Sequence, residues 1–478
     1  MSRLLDKLVT HASTDRIAVH DEAGAHGYEA VLTKARSIAA LLGPRHGQRV
    51  ALLASPGVDF VSALFGILLS GACGVVLSPL HPAVESTYFC DDAGVDTILV
   101  TPDQRARAEA LGKRTLVDVS TVTAAALPPV RVDDAEPALM LYTSGTTGRP
   151  KGAVLSHENL ATQQDLLQEA WAWSPSDVLL HTLPLHHMHG LCIALLAALG
   201  AGAAVRMLPH FDAARVFDTM AECTVFMAVP TIYAKLFVAF DAADAATRVR
   251  WARNASSLRL ATSGSAALPV SLAERWRALT GSIPLERFGM TEIGVGISNP
   301  LHGERRAGTV GLPLPTVETR VGASGELWVR GPSVFAGYFQ RDDATRDAFE
   351  DGWFKTGDTV AREADGYFRI LGRTSVDILK SGGYKLSALE IEEVLREHGS
   401  VADVAVVGVP DEVWGDRVVA CVERRGPLDA EELRAFAKDR LASYKCPKDV
   451  LFFDVLPRNA MGKVTKPELS RLARDRLA

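Results

Sequence analysis

Short β-branched apolar runs alternate with longer stretches of helical periodicity over roughly the first 330 residues. The spacing predicts strands at 49–53, 74–77, 97–101, 224–229 and 258–261, and helices at 58–69, 160–172 and 270–279. Such alternation favours parallel sheets covered by helices, in which ligands bind beyond the carboxyl ends of the strands. We therefore expect binding residues at 229–231, at 262–265, and in the loop that follows the apolar run 138–142.

The pattern changes between about residues 305 and 372, where Gly and Pro interrupt short strands such as 325–331. Beyond residue 372 a compact α+β segment is predicted, with Ser387 and Glu390 spaced as a capping box at a helix start. The expected class is α/β: a large N-terminal domain (1–374) of helix-covered, largely parallel sheets with a small β-rich subdomain, then a small mobile α+β C-terminal domain (375–478).

Composition and net charge limit the classes of partner that the protein is expected to bind. A hydrophobic share of 47% with 23% charged residues is typical of a globular protein, and a net charge of −6 argues against nucleic acid or an anionic membrane. The weakly polar run 190–205 is shorter than the roughly 20 residues of a membrane helix, so we interpret it as one buried helix. No secretory signal is recognised, and six cysteines without a C-x-x-C pair suit a reducing compartment. We expect a cytoplasmic protein without membrane insertion, and the sequence carries no prediction of its oligomeric state.

One loop combines hydroxyls, glycines and cations in nine consecutive residues. The loop reads Thr143, Ser144, Gly145, Thr146, Thr147, Gly148, Arg149, Pro150 and Lys151. Glycines let backbone N–H groups approach an anion, hydroxyls donate further hydrogen bonds, and the cations offset a polyanion's charge. No Gly-Lys-Ser/Thr closes the loop, so it is not a Walker loop. The pattern predicts phosphate binding; the alternative is a polar surface turn.

Four later segments complete a family pattern. They are Glu286-Arg287-Phe288-Gly289-Met290-Thr291-Glu292, Lys355-Thr356-Gly357-Asp358, Gly372-Arg373 leading to Lys380-Ser381-Gly382-Gly383-Tyr384-Lys385, and Pro457-Arg458-Asn459-Ala460-Met461-Gly462-Lys463. With the phosphate loop, they resemble the adenylate-forming superfamily of acyl-CoA synthetases, luciferases and peptide-synthetase adenylation domains. The match spans nearly the whole chain, in the family's order and spacing.

The resemblance implies a two-step ligase that uses ATP, Mg²⁺ and coenzyme A. A carboxylate attacks the α-phosphate of ATP, and a thiol then displaces AMP from the acyl-adenylate. Lys463 resembles the catalytic lysine and His187 the usual active-site histidine, while Glu292 with Thr143 would hold Mg²⁺. Considered without the other segments, Lys463 could be a solvated surface lysine. Glu292 could likewise be an exposed acid or one that begins a helix.

The resemblance also implies the nucleotide and CoA contacts. Asp358 would accept both ribose hydroxyls beside Arg373, although alone it could be a turn residue. The other ATP-binding candidates outside the loop are Ser265, Ala266, Ala267, Glu286, Arg287, Phe288, Gly289, Met290 and Thr291, with Phe288 flanking the adenine. Ser381, Gly382, Gly383 and Tyr384 would line the pantetheine tunnel, the alternative being a Gly-rich hairpin. The hinge would be Ser375, where the family more often has Lys or Asp.

The acid pocket departs from that of most family members, which take apolar acids. His189 and Arg287 occupy positions that the family more often fills with uncharged groups, and Ser263 and Met290 are further pocket candidates. A buried arginine is costly unless an anion meets it. We therefore expect a short dicarboxylate, and the pocket segments resemble those of malonyl-CoA synthetases, with malonate the expected acid and methylmalonate a candidate. The alternative is that Arg287 pairs with an internal acid such as Glu286 or points to solvent.

Three other functions compete with this hypothesis. An aryl- or medium-chain acyl-CoA ligase would share every family segment. A stand-alone adenylation enzyme that loads a carrier protein often has an aspartate facing an amino group, and no acid lies at 229–233. A non-enzymatic nucleotide-binding scaffold would have no need to keep Lys463, Glu292 and Asp358 together.

Overall fold

The computed structural model describes residues 1–123, 130–143, 149–459 and 462–477. The chain divides into two compact units. The first contains Met1–Leu268, Leu272–Glu318 and Val329–Phe354, and the second contains Pro269–Ser271, Thr319–Trp328 and Lys355–Ala478. Residues 355–374, which the sequence assigns to the N-terminal domain, belong by their packing to the second unit. The domain boundary between residues 374 and 375 is placed at the expected hinge, Ser375, and it stays a prediction.

A seven-stranded sheet forms one half of the first unit. Its strand order is Gly337–Tyr338, Lys151–Ser156, Pro137–Thr143, Cys73–Val76, Arg49–Leu53, Thr97–Val100 and Thr115–Asp118. The last five strands pair in parallel, and the first two pair antiparallel. The predicted strands at 49–53, 74–77 and 97–101 are confirmed here, within one residue at each end.

A nine-stranded sheet forms the other half. Its order is Leu312–Pro313, Gly294–Ser298, Leu285–Met290, Leu260–Ser263, Val225–Ala228, Val178–His181, Ala204–Met207, Ile17–Asp21 and Gly24–Gly27. The strands from Leu285–Met290 to Ile17–Asp21 pair in parallel. Largely parallel sheets with helices between their strands confirm the predicted α/β class.

Helices connect these strands. They are Arg3–Ala12, Tyr28–Leu42, Val58–Leu69, Ala83–Asp92, Arg105–Glu109, His157–Ala170, Ala197–Gly200, Ala213–Thr219, Pro230–Ala242, Ala245–Ser256, Val270–Thr280 and Asp342–Ala348, with 3₁₀ turns at Pro102–Gln104 and Met220–Glu222. Every residue from 60 to 69 is buried, as its nearly unbroken apolar sequence requires.

The prediction of a single buried helix over 190–205 is wrong for its last five residues, 201–205. A π-helix at His189–Leu196 continues into Ala197–Gly200, and Gly202 then takes a φ of 75°, which ends the helix. Ala204–Met207 is instead a strand between Val178–His181 and Ile17–Asp21. An apolar run buried on all sides does not distinguish the two structures by periodicity.

The second unit contains strands of two sheets. The strand order of one is Glu318–Val321, Glu326–Arg330, Trp353–Arg362 and Phe349–Glu350, with Phe368–Arg373 also paired to Trp353–Arg362; the first unit contributes residues to it. The other has the order Tyr384–Ser387, Ile378–Ser381, Gly415–Arg424 and Val401–Asp411, with Asp449–Phe453 parallel to Gly415–Arg424. The helices are Ala388–Arg396, Ala430–Lys438 and Lys466–Leu477, with a 3₁₀ turn at Ser443–Lys445. Apolar clusters cover both faces of this second sheet.

The predicted capping box at 387–390 forms only in half. Ser387 Oγ accepts a hydrogen bond from Glu390 N–H at 3.2 Å, but Glu390 Oε1 pairs with Lys445 Nζ at 2.6 Å. The Glu390 carboxylate is therefore in an ion pair, whereas in a capping box it would accept a hydrogen bond from the backbone N–H of Ser387. Across the described ranges, the helices are all too short or too polar to cross a bilayer.

Candidate active site

Two neighbouring parallel strands of the first unit, Leu260–Ser263 and Leu285–Met290, bring the predicted acid pocket together. Ser263 lies opposite Glu286, so that Gly264 and Arg287 follow side by side where the parallel pairing ends. The Ser263 side chain is fully buried. Ser265 has a φ of 69°, a left-handed conformation that non-glycine residues rarely adopt and that is concentrated at functional sites.

Arg287 is buried, and the described residues supply no anion to it. The residue is 3% exposed, and within the described part of the chain its Nε and Nη2 have no hydrogen-bond partner. Burial lowers the pKa of its guanidinium to about 9. A Cβ on Gly264 would lie 2.4 Å from both Cζ and Nε of this side chain. The guanidinium therefore lies directly against the Gly264 backbone.

Neither structural alternative for Arg287 is found. The side chain does not point to solvent, and among the described residues neither Glu286 nor another acid accepts a hydrogen bond from its Nε or Nη2. Successive side chains on a strand point to opposite faces, and Glu286 Oε1 accepts a hydrogen bond from Leu268 N–H at 2.8 Å. The guanidinium is thus available to an anion from outside the described part of the chain.

The predicted histidines lie at the start of the π-helix. His189, which is 6% exposed, has its Nδ1 3.2 Å from Ser265 Oγ. The His186 and His187 rings lie 4.0 Å apart, and His81 lies 5.0 Å from His186. Burial, together with His187 and His81, lowers the pKa of His186 to about 2, so it is neutral. π-helical segments are frequent at functional sites.

Glu292 lies in the turn after Leu285–Met290 and is 4% exposed. The Tyr338 hydroxyl donates a hydrogen bond to its Oε1 at 2.8 Å. Lys151, at the end of the predicted phosphate loop, has its Nζ 5.3 Å from the centre of the Tyr338 ring. One tyrosine therefore brings together the predicted metal-binding carboxylate and the loop lysine.

Most of the phosphate loop lies outside the described residues, namely Ser144, Gly145, Thr146, Thr147 and Gly148. Thr143 is described as the last residue of the strand Pro137–Thr143, and it pairs with Lys151 across the antiparallel ladder. The loop thus joins two adjacent strands whose ends are in register.

The other nucleotide candidates of the first unit lie close by in the sequence and differ in exposure. Ala266 and Ala267 are exposed, whereas Phe288, Gly289, Met290 and Thr291 are half-buried. Phe288 pairs with Ile297, and a bulge follows it at Gly289. Bulges turn side chains out of the regular ladder, as a binding strand needs.

Asp358 and Arg373 pair within the second unit. They lie opposite each other on antiparallel strands, with Arg373 Nε 3.2 Å from Asp358 Oδ1. Arg373 also donates from Nη1 to Thr356 O at 2.6 Å. The carboxylate is 6% exposed and the arginine orients it, as an acceptor for two hydroxyls requires. Ser375 follows as an exposed residue.

The predicted CoA segment forms a hairpin. Ile378–Ser381 and Tyr384–Ser387 pair antiparallel around Gly382 and Gly383, whose φ values are 57° and 83°. Two consecutive left-handed residues make a turn that favours glycine. Tyr384 is 54% exposed and stacks on Tyr444 with 4.4 Å between ring centres. The segment is therefore a Gly-rich hairpin, as the alternative interpretation stated. The role of this hairpin in CoA binding stays a prediction.

Lys463 lies in a tight loop before the last helix. Its N–H donates to Asn459 Oδ1 at 3.0 Å, and Asn459 N–H donates to Lys463 O at 2.9 Å. The side chain is exposed. The backbone of the predicted catalytic lysine is thus held locally.

His81, Tyr338 and Lys466 were not identified from the sequence. Gly264 was included only as part of the expected binding segment 262–265, without a role of its own. His81 and Tyr338 reach the site from distant parts of the chain, and no local pattern distinguishes them. Gly264 stands inside the predicted turn 262–265, where a glycine could have indicated close approach by another group.

Known proteins match the whole chain. The model of the AMP-binding enzyme family matches residues 7–339, and that of the AMP-binding enzyme C-terminal domain matches 390–463. The mitochondrial malonate–CoA ligase of Mus musculus is 41% identical over 95% of this chain and 88% of its own length.

Two solved structures are also similar. ATP-bound MatB from Rhodopseudomonas palustris has a TM-score of 0.91 at 33% identity, covering 100% of this chain and 99% of its own. A malonyl-CoA ligase with methylmalonyl-CoA and AMP bound has a TM-score of 0.70 at 39% identity, covering 94% and 99%. With both family models in the expected order and such similarity over its full length, the chain belongs to the AMP-binding enzymes.

Proposed function

We propose that this protein is a malonate–CoA ligase that consumes ATP. A carboxylate oxygen of malonate attacks the α-phosphorus of ATP, which forms malonyl-adenylate and releases pyrophosphate. The sulfur of CoA then attacks the acyl carbon, its proton leaves, and AMP departs with the electron pair of the broken C–O bond. The observation that carries the choice of acid is the buried guanidinium of Arg287.

Arg287 would bind the carboxylate of malonate that does not react. Its Nε and Nη2 lack hydrogen-bond acceptors among the described residues, and two donors in a fork match a carboxylate. A buried unpaired cation disfavours apolar acids, because they would leave it desolvated. His189, held by Ser265, would donate to the same carboxylate, while Ser263 and Met290 shape the pocket.

The phosphates would bind to the loop 143–151, with Lys151 neutralising part of their charge. Glu292 fits a magnesium site, since Mg²⁺ typically takes one or two protein carboxylates and fills its shell with phosphate oxygens and water. Tyr338 holds one oxygen of this buried carboxylate, and Thr143 would add a hydroxyl. When bound, Mg²⁺ shields the phosphates and stabilises the pyrophosphate leaving group.

Several residues are candidates for contacts with the nucleoside. Asp358, oriented by Arg373, would accept the two ribose hydroxyls, while Phe288 and the backbone at 265–267 would flank the adenine. Glu286, Gly289 and Thr291 would shape the nucleotide site around them. His187 would contact the adenylate.

Lys463 would stabilise the charge that develops as carboxylate and α-phosphate come together, which is the main barrier between two anions. The hairpin at 381–384 would bind the pantetheine arm of CoA, since its glycines permit close approach. A rotation about Ser375 would let the small domain serve both half-reactions in turn.

A second acid, methylmalonate, differs by one methyl group, which is worth only about 1–3 kcal/mol in a pocket. The similarity to a ligase that has methylmalonyl-CoA bound supports its inclusion as a slower substrate. Carrier-protein loading is less well supported, because no acid lies at 229–233 to meet an amino group.

The test is pyrophosphate release with malonate, methylmalonate, succinate, acetate, octanoate and benzoate, each with CoA as acceptor. We expect the highest kcat/KM with malonate, followed by methylmalonate. Preference for octanoate or benzoate would replace this proposal with an apolar acyl-CoA ligase. Activation of malonate without transfer to CoA would indicate a carrier-protein acceptor.

A further inference from the structure

A second lysine, Lys466, lies buried three residues after Lys463. It opens the helix Lys466–Leu477, and 11% of its side chain is exposed. Its Nζ lies 2.5 Å from Asp377 Oδ1 and 2.6 Å from Glu392 Oε1. Asp377 follows the predicted hinge, and Glu392 lies on the helix Ala388–Arg396. One ammonium therefore connects three separate segments of the second unit.

The surroundings of Lys466 keep it charged. Burial alone would lower its pKa, but the adjacent Glu392 and Asp377 carboxylates raise the pKa above its ordinary value. Glu392 is also held by Arg396 Nη2 at 3.1 Å and by Val406 N–H at 2.8 Å. Lys466, Arg396, Asp377 and Glu392 thus form one buried ion-pair network, which Arg396 extends to Glu393 and Asp403. Removing one partner from such a cluster leaves an uncompensated buried charge.

The segment that carries Lys463 is closed at its base. Thr465 N–H donates to Pro457 O at 2.8 Å, and Arg458 Nη1 donates to Gly462 O at 3.0 Å. Arg458 Nη2 also lies 2.5 Å from Asp403 Oδ2. Lys466 is the first residue after this closed base. Its two ion pairs therefore determine where the base lies relative to the rest of the second unit.

Asp377 links the same cluster to the nucleotide residues. Its Oδ2 accepts a hydrogen bond from Arg373 N–H at 2.9 Å, while its Oδ1 meets Lys466. The Arg373 side chain in turn orients Asp358. A continuous set of hydrogen bonds and ion pairs therefore runs from the base of the Lys463 loop to the predicted ribose-binding carboxylate.

We propose that Lys466 is a positioning residue for adenylate formation, which holds the Lys463 loop and the Asp358–Arg373 pair in one geometry within the second unit. This inference rests on the role proposed above for Lys463. Lys466 does not touch the reactants and acts through its neighbours. Misplacing a catalytic group by about 1 Å can cost about a hundredfold in rate, so loss of the cluster would slow adenylate formation. The binding of malonate, which is proposed for residues outside the cluster, would change little.

The test compares Lys466→Met, Lys466→Arg and Lys463→Ala in the full chain. Adenylate formation is followed as pyrophosphate release from malonate and ATP, and transfer as thioester formation from supplied malonyl-adenylate and CoA. For Lys466→Met we expect kcat of adenylate formation to fall about tenfold or more, with KM for malonate and the transfer rate at saturating malonyl-adenylate changed less than about twofold. Lys466→Arg should restore most of the rate because it keeps the charge, and amide exchange over 457–466 should quicken only in Lys466→Met.

Leu469→Ala is the control for lost stability. Leu469 is fully buried on the same helix, and neither of the two carboxylates pairs with it. Equal effects of Leu469→Ala and Lys466→Met on the two half-reactions would overturn the inference, as would an unchanged adenylation rate in Lys466→Met. Should Lys466→Met not fold, Asp377→Asn is expected to give the same imbalance between the half-reactions, and its absence would also overturn the inference. An unchanged rate in Lys463→Ala would instead overturn the proposed role of Lys463.

Discussion

The guanidinium of Arg287 occupies the space that a Cβ on Gly264 would fill, since such an atom would lie 2.4 Å from its Cζ and Nε and 2.9 Å from its Nη1. Close approach of this kind leaves no room for any side chain but hydrogen at 264. The glycine thereby determines where the cation lies in the pocket. The relationship links a backbone position to the choice of acid.

Gly264→Ala should therefore displace Arg287 and weaken the binding of malonate. We expect KM for malonate to rise about tenfold or more, because the charge pair is sensitive to small displacements, while KM for ATP changes little. Steady-state kinetics with each substrate varied in turn measures both. Gly399→Ala is the matched control, since a Cβ there would meet nothing within 4 Å. An unchanged KM for malonate in Gly264→Ala would contradict the role of this contact.

Tyr338→Phe should weaken the use of magnesium. The variant removes the hydrogen bond that the phenol donates to Glu292 at 2.8 Å and keeps the ring beside Lys151. A hydrogen bond to a charged group is worth about 1.5–3 kcal/mol, so the Mg²⁺ concentration for half-maximal activity should rise about tenfold or more. Titration of Mg²⁺ at saturating malonate measures the shift. If Tyr338→Phe lowers the Tm but leaves the Mg²⁺ requirement unchanged, the role of Tyr338 is purely structural.

Buried histidines should make the first unit sensitive to acid. Burial lowers the pKa of His157 to about 4, although Glu136 and Asp134 oppose it, and its Nδ1 lies 3.0 Å from Ser2 Oγ. Between pH 6.5 and about 4 the unfolded chain binds a proton that the folded chain does not, so stability falls as pH falls through this window. His157→Gln should reduce that fall by up to about 3 kcal/mol. Chemical denaturation at several pH values measures it, and a variant that loses stability with falling pH as steeply as the natural protein would contradict this expectation.

Arg287→Met should stabilise the ligand-free protein while impairing its function. The folded chain keeps this guanidinium from water with no anion from the residues that the structure describes, and burial lowers its pKa to about 9. An apolar side chain of similar length removes that cost, so the free energy of unfolding should rise by at least about 1 kcal/mol. Malonate should raise the Tm of the natural protein and not that of the variant. A less stable Arg287→Met protein would show that the cation is already satisfied in the absence of ligand.

Local periodicity was sufficient for much of the first unit. The strand Arg49–Leu53 and the helix Val58–Leu69 have the predicted bounds, because one is a short apolar run and the other a long apolar run. The site depends on contacts that no local pattern contains. Tyr338 reaches Glu292 from 46 residues away, and Lys466 reaches Asp377 from 89 residues away.

The helix predicted through 190–205 failed for a related reason. Both a buried helix and a buried strand consist of apolar residues, and only pairing with Val178–His181 and Ile17–Asp21 makes Ala204–Met207 a strand. Arg287 shows the opposite case. A charged residue at a position where the family usually has an uncharged one already indicated a special role in the sequence. The structure adds that this residue is buried and that the described residues supply no anion to it.

The most direct test of the central claim is the relative kcat/KM for malonate and acetate in adenylate formation by the natural protein and by Arg287→Met. If the guanidinium neutralises the unreacted carboxylate, the natural protein should prefer malonate, and the variant should lose about 2–5 kcal/mol of that preference while its KM for ATP is kept. An Arg287→Met protein that still prefers malonate over acetate to the same extent would contradict the account.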